Sequence, residues 1–159
     1  MNHAEALFTR QYELLQGARG VLLDYCETLA PDDFTRELPG FGRGSIRNLL
    51  VHTVNTYRYW LELFARNQPV AFTEPESVRE AAAARLLFAR ADAAAGEFIP
   101  CFREAYDSPL TGQLRGQTVT ATPTTLFTHV ITHEFHHKGQ ILSMSRHLGY
   151  LPPDTDVLR

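Results

Sequence analysis

The chain has few of the residues on which several protein classes depend. Its 159 residues include two cysteines and one tryptophan, and Lys138 is the only lysine against fourteen arginines. Because Cys26 and Cys101 lie far apart and form no CxxC motif, we expect neither a disulfide framework nor a cysteine-based zinc site. Both are predicted to be reduced thiols in the core of a cytoplasmic protein.

Long apolar runs and an excess of positive charge are also missing. No stretch approaches the roughly 18 apolar residues of a membrane helix, and the amphipathic N-terminus lacks the apolar run of a signal peptide. A net charge of -3 provides no basic surface for nucleic acid. The hydrophobic fraction of 44% and the charged fraction of 21% are those of an ordinary globular protein. We therefore expect a single domain over residues 1–159 that contacts neither membrane nor nucleic acid.

Helical periodicity dominates what is present. Apolar residues at intervals of three and four predict four long helices, from Asn2 to about Leu29, from Ile46 to about Asn67, from Glu76 or Ser77 to about Phe98, and from Thr122–Pro123 to Leu148. Ser45 and Thr122 are the expected N-caps of the second and the last helix, and Pro100 should kink or end the third. Residues 107–121 favour an extended connection or a small hairpin before the last helix. The pattern predicts an all-α fold, a four-helix bundle.

The segment THEFHHKGQI (132–141) concentrates histidine in the last helix. His133 and His137 continue the apolar spacing of that helix and should therefore face the core, where imidazoles need partners. Side chains one turn apart on one face can converge on a metal ion. His129 extends the same stripe, but it lies about 12 Å from His137 along the axis. Spacing alone does not decide between the upper pair, His129 and His133, and the lower pair, His133 and His137. His136 points about 100° away and is expected at the surface or behind the ligands.

A third ligand is expected from a facing helix, because two protein ligands make a weak site. His52 lies in the second helix, flanked at helical spacing by apolar and aromatic residues. We predict that it joins the pair on the last helix. Asn55, one turn further on, is a weak candidate for hydrogen bonding to a water on the metal.

The same segment contains HExxH, the signature in which zinc peptidases use the glutamate as general base. The extended peptidase motif is absent, since Gln140 and Ser143 occupy the positions of its glycine and third histidine. The only acids further downstream are Asp154 and Asp156, and no strand-rich half exists to bind a peptide. Glu134 is thus a weak catalytic candidate, and we expect it at the helix surface or behind the ligands.

Three segments together resemble the DinB family of bacterial four-helix proteins: GxGSIRxLLxH (42–52), THExHHKGQI (132–141) and GYLPPDTD (149–156). The resemblance implies a bundle that binds one divalent cation through three histidines, often as a homodimer. Position by position, the implied ligands are His52, His133 and His137, which selects the lower pair. Trp60, Phe64 and Phe72, near one end of the bundle, offer apolar material for a dimer contact.

The wider superfamily includes enzymes that conjugate low-molecular-weight thiols such as bacillithiol and mycothiol to electrophiles. Three neutral imidazoles leave a Zn²⁺, Ni²⁺, Fe²⁺ or Mn²⁺ ion with its full charge and an open position. A thiol bound there, with an ordinary pKa near 8.5, would lose its proton. Metal-dependent thiol S-transfer to a small-molecule substrate is therefore the preferred hypothesis, with hydrolysis at the same site as a variant. A non-catalytic stress protein that binds a metal or ligand is the alternative. An arginine should bind the carboxylates of the thiol, and Arg47, Arg58 and Arg146 are unranked candidates.

Overall fold

The four long helices pack as a bundle with two diagonal pairs. The computed structural model of the protein describes residues 2–159, and its long helices are α1 (His3–Cys26), α3 (Ile46–Tyr57), α4 (Ala81–Cys101) and α5 (Pro123–His147). Both α1 and α3 pack against α4 and against α5, so α1 lies diagonally opposite α3. The predicted all-α four-helix bundle is confirmed.

Side-chain caps set most of the helix starts. Ser45 accepts a hydrogen bond from the backbone of Asn48 at the start of α3, and Thr122 does the same for α5, where Pro123 takes the first helical position. Both caps were predicted from the sequence. α5 ends where predicted, at C-cap Leu148, with Gly149 at φ +92° behind it.

Three helix boundaries differ from the sequence-based expectation. α1 ends at Cys26 rather than near Leu29, because a turn follows and a short helix, α2 (Pro31–Thr35), begins at the proline. α4 begins at Ala81 rather than at Glu76 or Ser77, since residues Pro75–Ser77 form one separate 3₁₀ turn. α4 ends at Cys101 rather than near Phe98, and Pro100 lies in its last turn.

The helix that starts with α3 changes its winding halfway. Beyond Tyr57 it continues as a π-helical segment, Arg58–Phe64, and returns to α-helix for two residues. Its predicted extent to about Asn67 is confirmed, and Asn67 has φ +53° just past the end. The π-helical winding, which is rare and often marks functional sites, was not predicted.

A β-hairpin precedes α5, which confirms the expected small hairpin. Strands β1 (Leu110–Leu114) and β2 (Gln117–Ala121) pair antiparallel. They are joined by Arg115 and Gly116, both in the left-handed region with φ +51° and +78°. Two such residues are the requirement of a type I′ turn, which suits the twist of a hairpin.

A buried polar network joins all four long helices. Arg19 of α1 donates to both oxygens of Glu134 on α5 and to Asp92 on α4. Tyr57 of α3 donates to Oε2 of Glu134 at 2.7 Å. Glu134 is only 5% exposed, so of its two expected places the helix surface is wrong, and a place behind the ligands stays a prediction. Its charge is accommodated because a guanidinium and a phenol donate to it.

The two cysteines have different environments. Cys26 is buried and Cys101 is exposed, and both are free thiols. Core burial is therefore confirmed for Cys26 and wrong for Cys101, which follows Pro100 at the end of α4. Among the helices of residues 2–159, none combines the length and the apolar character that crossing a membrane requires.

Candidate metal centre

Three histidines from two neighbouring helices meet at one point. His52 of α3 and His133 and His137 of α5 each offer one ring nitrogen, and these three atoms lie within 4.8 Å of one another. The ring centroid of His52 is 5.0 Å from that of His133 and 4.9 Å from that of His137. Within α5, the Nε2 atoms of His133 and His137 are 3.2 Å apart. The three side chains could therefore hold one metal ion.

Helix geometry explains why these residues converge. His133 and His137 are separated by one turn and share the face of α5 that packs against α3. The ring of His137 is oriented by its Nδ1, which lies 2.6 Å from Oε1 of Gln140, so that Nε2 faces His133. A hydrogen bond of this kind to the second nitrogen is typical of metal-binding histidines, because it fixes the tautomer and the ring.

The electrostatics of the cluster favour neutral imidazoles. Burial, followed by nearby Arg43 and the other two histidines, lowers the pKa of His52 to about 3. Burial and the neighbouring histidines lower the pKa of His133 to about 4. Burial also lowers the pKa of His137, against the opposing effect of the hydrogen bond to Gln140. Since only the neutral ring can bind a metal, the three side chains are in the form that ligation requires.

An unmet hydrogen-bonding atom belongs to the same cluster. Nδ1 of His133 is buried and has no partner among the described residues. Nε2 of His133 faces His137, so an ion held by the three rings would use Nε2 and leave Nδ1 to a hydrogen-bond partner. The all-nitrogen donor set itself fits a borderline divalent ion such as Zn²⁺, Ni²⁺ or Fe²⁺.

Two neighbouring histidines of α5, His129 and His136, lie outside the group of three. His129 is exposed and its ring contacts those of Trp60 and His133, with both centroid distances 5.3 Å. His136 is exposed beside His137, where it was expected. The structure therefore brings the lower pair, and not the upper, together with His52.

Comparison with known proteins identifies the family. The sequence profile described as the DinB family matches residues 1–159. The chain belongs to the DinB family. A crystal structure of a DinB-like protein from Bacillus subtilis is similar in fold, with a TM-score of 0.62 and 18% identity over 91% of this chain and 97% of that chain. At that identity the likeness shows the fold alone. No curated protein sequence matches the chain.

The two weak catalytic candidates of this DinB-family chain are engaged elsewhere. Both oxygens of Glu134 accept hydrogen bonds inside the bundle. The amide of Asn55 donates to the carbonyl of Thr73 at 2.9 Å and accepts from its N–H at 3.0 Å. Asn55 thus fastens the loop before α4 to α3, and a role toward a bound water stays a prediction.

Two open pockets flank His52. One, of about 620 Å³, extends from His52 toward the glycine-rich turn before α3 and the loop at Thr73. The other, of about 490 Å³, lies between the π-helical segment, the hairpin turn and α5, and His52 and His133 both line it. The three-histidine group is therefore accessible to a small molecule.

The arginines beside this centre are not the ones named from the sequence. Arg43 and Arg115 line the pocket next to His133, and Nη2 of Arg43 is 3.2 Å from Nε2 of His52. Arg58, by contrast, is paired with Glu62 and donates to the carbonyl of Ala71. Arg43 lies within the segment that carries the family resemblance, GRGS, but Arg115 reaches the site only through the tertiary position of the hairpin. No local pattern indicated it.

Proposed function

We propose that His52, His133 and His137 hold one divalent metal ion (Zn²⁺, Ni²⁺, Fe²⁺ or Mn²⁺), and that the protein is a metal-dependent enzyme of the thiol S-transferase type. The observation that carries the proposal is the convergence of three neutral imidazoles beside an open pocket. A bound ion would supply a positive charge that favours the thiolate form of a low-molecular-weight thiol. With the thiol proton released to water, the sulfur would form a bond to a carbon electrophile, whose leaving group would depart with the bonding electron pair.

The chain's own residues prepare the site for such chemistry. His137 is held by Gln140, so the ring does not need to reorient when a ligand binds. Aromatic side chains of the π-helical segment and the loop at Phe72 form one wall of the pocket. Because the group of three contains no fourth donor from the described residues, the donor set favours an open coordination position over a closed structural one.

Peptidase chemistry of the HExxH type is disfavoured by one specific observation. The general base of that mechanism must be free to take a proton from water. Glu134 instead accepts from Arg19 at 2.7 and 2.9 Å and from Tyr57 at 2.7 Å. Hydrolysis at this site would need another base.

Elemental analysis tests the metal site. Protein purified without chelator should contain about one divalent ion per chain, as three protein ligands and an open position require. His137→Ala should lose it, whereas the matched variant His136→Ala, which removes an exposed neighbour, should retain it. Wild-type protein that neither contains nor takes up a metal would refute the site and the enzyme together.

A conjugation assay tests the reaction. Metal-loaded protein is incubated with an aryl halide electrophile and either cysteine, bacillithiol or mycothiol, and the thioether product is quantified. We expect a rate above that of the His52→Ala variant with at least one thiol. Equal rates in a protein that binds the metal would favour the non-catalytic metal-binding alternative.

The proposal includes a homodimer, as the family resemblance implies, and a cytoplasmic location, as the cysteine content predicts. Trp60 and Phe64 pack against each other within the chain, which leaves Phe72, 42% exposed, as available apolar surface near them. Light scattering measures the mass in solution, and Phe72→Ser should shift the protein toward the monomer. A monomeric wild-type protein would remove the dimer from the proposal without affecting the metal site.

A further inference from the structure

We propose that the pocket beside the three histidines binds a small organic anion with a flat apolar body, and that Arg43 and Arg115 bind its acidic group. The inference rests on the proposed function, because it names the class of substrate that the same site would take. Three observations support it: the positive charge of the pocket lining, the contacts that hold the hairpin, and the aromatic side chains that line the pocket.

The charge of this pocket is entirely of one sign. Its lining includes two arginines and no aspartate or glutamate. Within residues 2–159, neither Arg43 nor Arg115 forms an ion pair. Arg43 also lines the adjoining pocket on the other side of His52, together with the acids Glu37 and Glu74, and neither acid is paired with it. Two guanidinium groups without a counter-ion in one concave site favour an anionic ligand.

Arg115 is brought to the pocket by the hairpin, whose position is fixed by two contacts with the π-helical segment. Tyr59 donates from its hydroxyl to the carbonyl of Gln113 at 2.8 Å. Gly112 packs so closely on Phe64 that a Cβ at this position would lie 2.7 Å from Cε2 of the ring. Only glycine permits this approach. The turn that contains Arg115 is therefore held at the rim of the pocket.

Arg43 reaches the pocket from the opposite side. It lies in the turn before α3, and its guanidinium contacts Nε2 of His52 at 3.2 Å. The guanidinium has a rigid fork of donors that matches carboxylate, phosphate or sulfonate groups. An acidic group bound here would be next to the candidate metal ligands, where a reacting substrate must lie.

The remaining wall favours a flat apolar body. Tyr59, Trp60 and Phe72 line the pocket, with the ring of Tyr59 5.0 Å from that of Trp60 and 6.4 Å from that of Phe72. Aromatic walls with a few convergent polar groups are typical of small-molecule sites. A volume of about 490 Å³ accommodates a single substituted ring with room for a second reactant.

Binding of simple probes to chelator-treated, metal-free protein tests the inference. The probes are phenylacetate and phenyl phosphate, with phenylacetamide as the neutral counterpart. Calorimetry gives the affinity, and fluorescence of Trp60, the chain's only tryptophan, reports occupancy of this pocket. We expect at least one anion to bind about tenfold or more tightly than phenylacetamide, the difference expected of a charge-assisted hydrogen bond. Equal affinities, or no anion binding, would overturn the inference.

Variants locate the site. Arg43→Gln and Arg115→Gln should each weaken anion binding by roughly tenfold, while Arg79→Gln, an exposed arginine outside both pockets, should not. Gly112→Val should also weaken it, because the hairpin must move away from Phe64, whereas Thr111→Val on the same strand should have no such effect. If both arginine variants bind the anions like the wild type, the pocket is not the site.

The same samples separate this inference from the proposed function. Arg115→Gln and Gly112→Val should retain the metal content of the wild type, because neither touches a histidine of the group. If the wild-type protein binds the anions but takes up no metal, the enzyme proposal is wrong and the pocket proposal is supported. If the wild-type protein holds its metal but binds the anions and phenylacetamide equally, only the pocket proposal is wrong.

Discussion

Arg19 of α1 donates from Nε and Nη2 to the two carboxylate oxygens of Glu134 on α5, at 2.7 and 2.9 Å, in the centre of the bundle. The side chains of the two residues are 4% and 6% exposed. Glu134 directly follows His133, so the ion pair on one face of α5 fixes the rotation that points His133 and His137 toward α3.

Glu134→Ala should lower the free energy of unfolding by about 3–5 kcal/mol, because it leaves the buried guanidinium without its main partner. Urea titration followed by circular dichroism measures the change. Glu13→Ala is the matched control, since the Glu13–Arg10 pair is exposed and such pairs contribute about 0–1 kcal/mol. Similar unfolding midpoints for the two variants would contradict the assigned role of the network.

Tyr57→Phe should lower the free energy of unfolding by about 1–3 kcal/mol, since Glu134 would lose a buried hydrogen-bond donor. Burial, with the carboxylate of Glu134, raises the pKa of Tyr57 well above its usual value, so the phenol is protonated and able to donate. The metal content should stay that of the wild type. Tyr59→Phe, which loses only an exposed hydrogen bond to Gln113, should cost clearly less. If Tyr57→Phe loses no more stability than Tyr59→Phe, the hydrogen bond to Glu134 does not have the assigned role.

The stability of the metal-free protein should fall as the pH decreases below about 6.5, the ordinary pKa of histidine. The folded chain keeps His52 and His133 neutral down to pKa values of about 3 and about 4. The unfolded chain takes up these protons earlier, so folding releases protons and stability is lost toward low pH. Urea midpoints across this range measure the slope. In the double variant His52→Gln/His133→Gln, stability should depend less steeply on pH. An unchanged dependence would contradict the lowered pKa values of the two histidines.

Gly44→Ala should destabilise the protein by about 1–2 kcal/mol, the usual cost of the left-handed conformation for a residue with a Cβ. Gly44 has φ +78° immediately before the N-cap Ser45, and a Cβ there would collide with the carboxylate of Glu37. Gly42→Ala in the same turn is the control, because nothing lies within 4 Å of its Cβ position. Thermal denaturation compares the two, and equal melting temperatures would contradict the prediction.

Asn55→Ala should lower stability by about 1–3 kcal/mol, because two hydrogen bonds to the backbone of Thr73 are lost. Metal uptake should be unaffected, since the side chain holds the loop and contributes no ligand to the group of three. Calorimetric metal titration and urea unfolding test the two parts separately. Loss of metal at unchanged stability would instead favour the role at a bound water that the sequence suggested.

Local patterns were enough to predict the frame of the site. Ser45 and Thr122 follow the general preferences for N-caps, and His133 and His137 fall on the core-facing positions of their helix because they continue its periodicity. His52 was inferable because it is a histidine on an otherwise apolar face. These features depend on neighbours within a few residues.

Features that depend on partners far along the chain were missed. The burial of Glu134 is decided by Arg19 on another helix, and the position of Arg115 by the contact of Gly112 with Phe64. The π-helical winding at Arg58–Phe64 has no local signature comparable to proline or glycine. Such relationships arise only when the helices are packed together.

The network around Arg19 has a consequence for synthesis of the chain. Arg19 leaves the ribosome early and Glu134 late, and of the described residues only Asp92 offers a carboxylate to the guanidinium in between. Until the final helix emerges, the nascent chain carries a cation that cannot be fully compensated in a closed interior. We therefore expect the three long helices that precede α5 to stay solvated and accessible to chaperones until α5 packs against them.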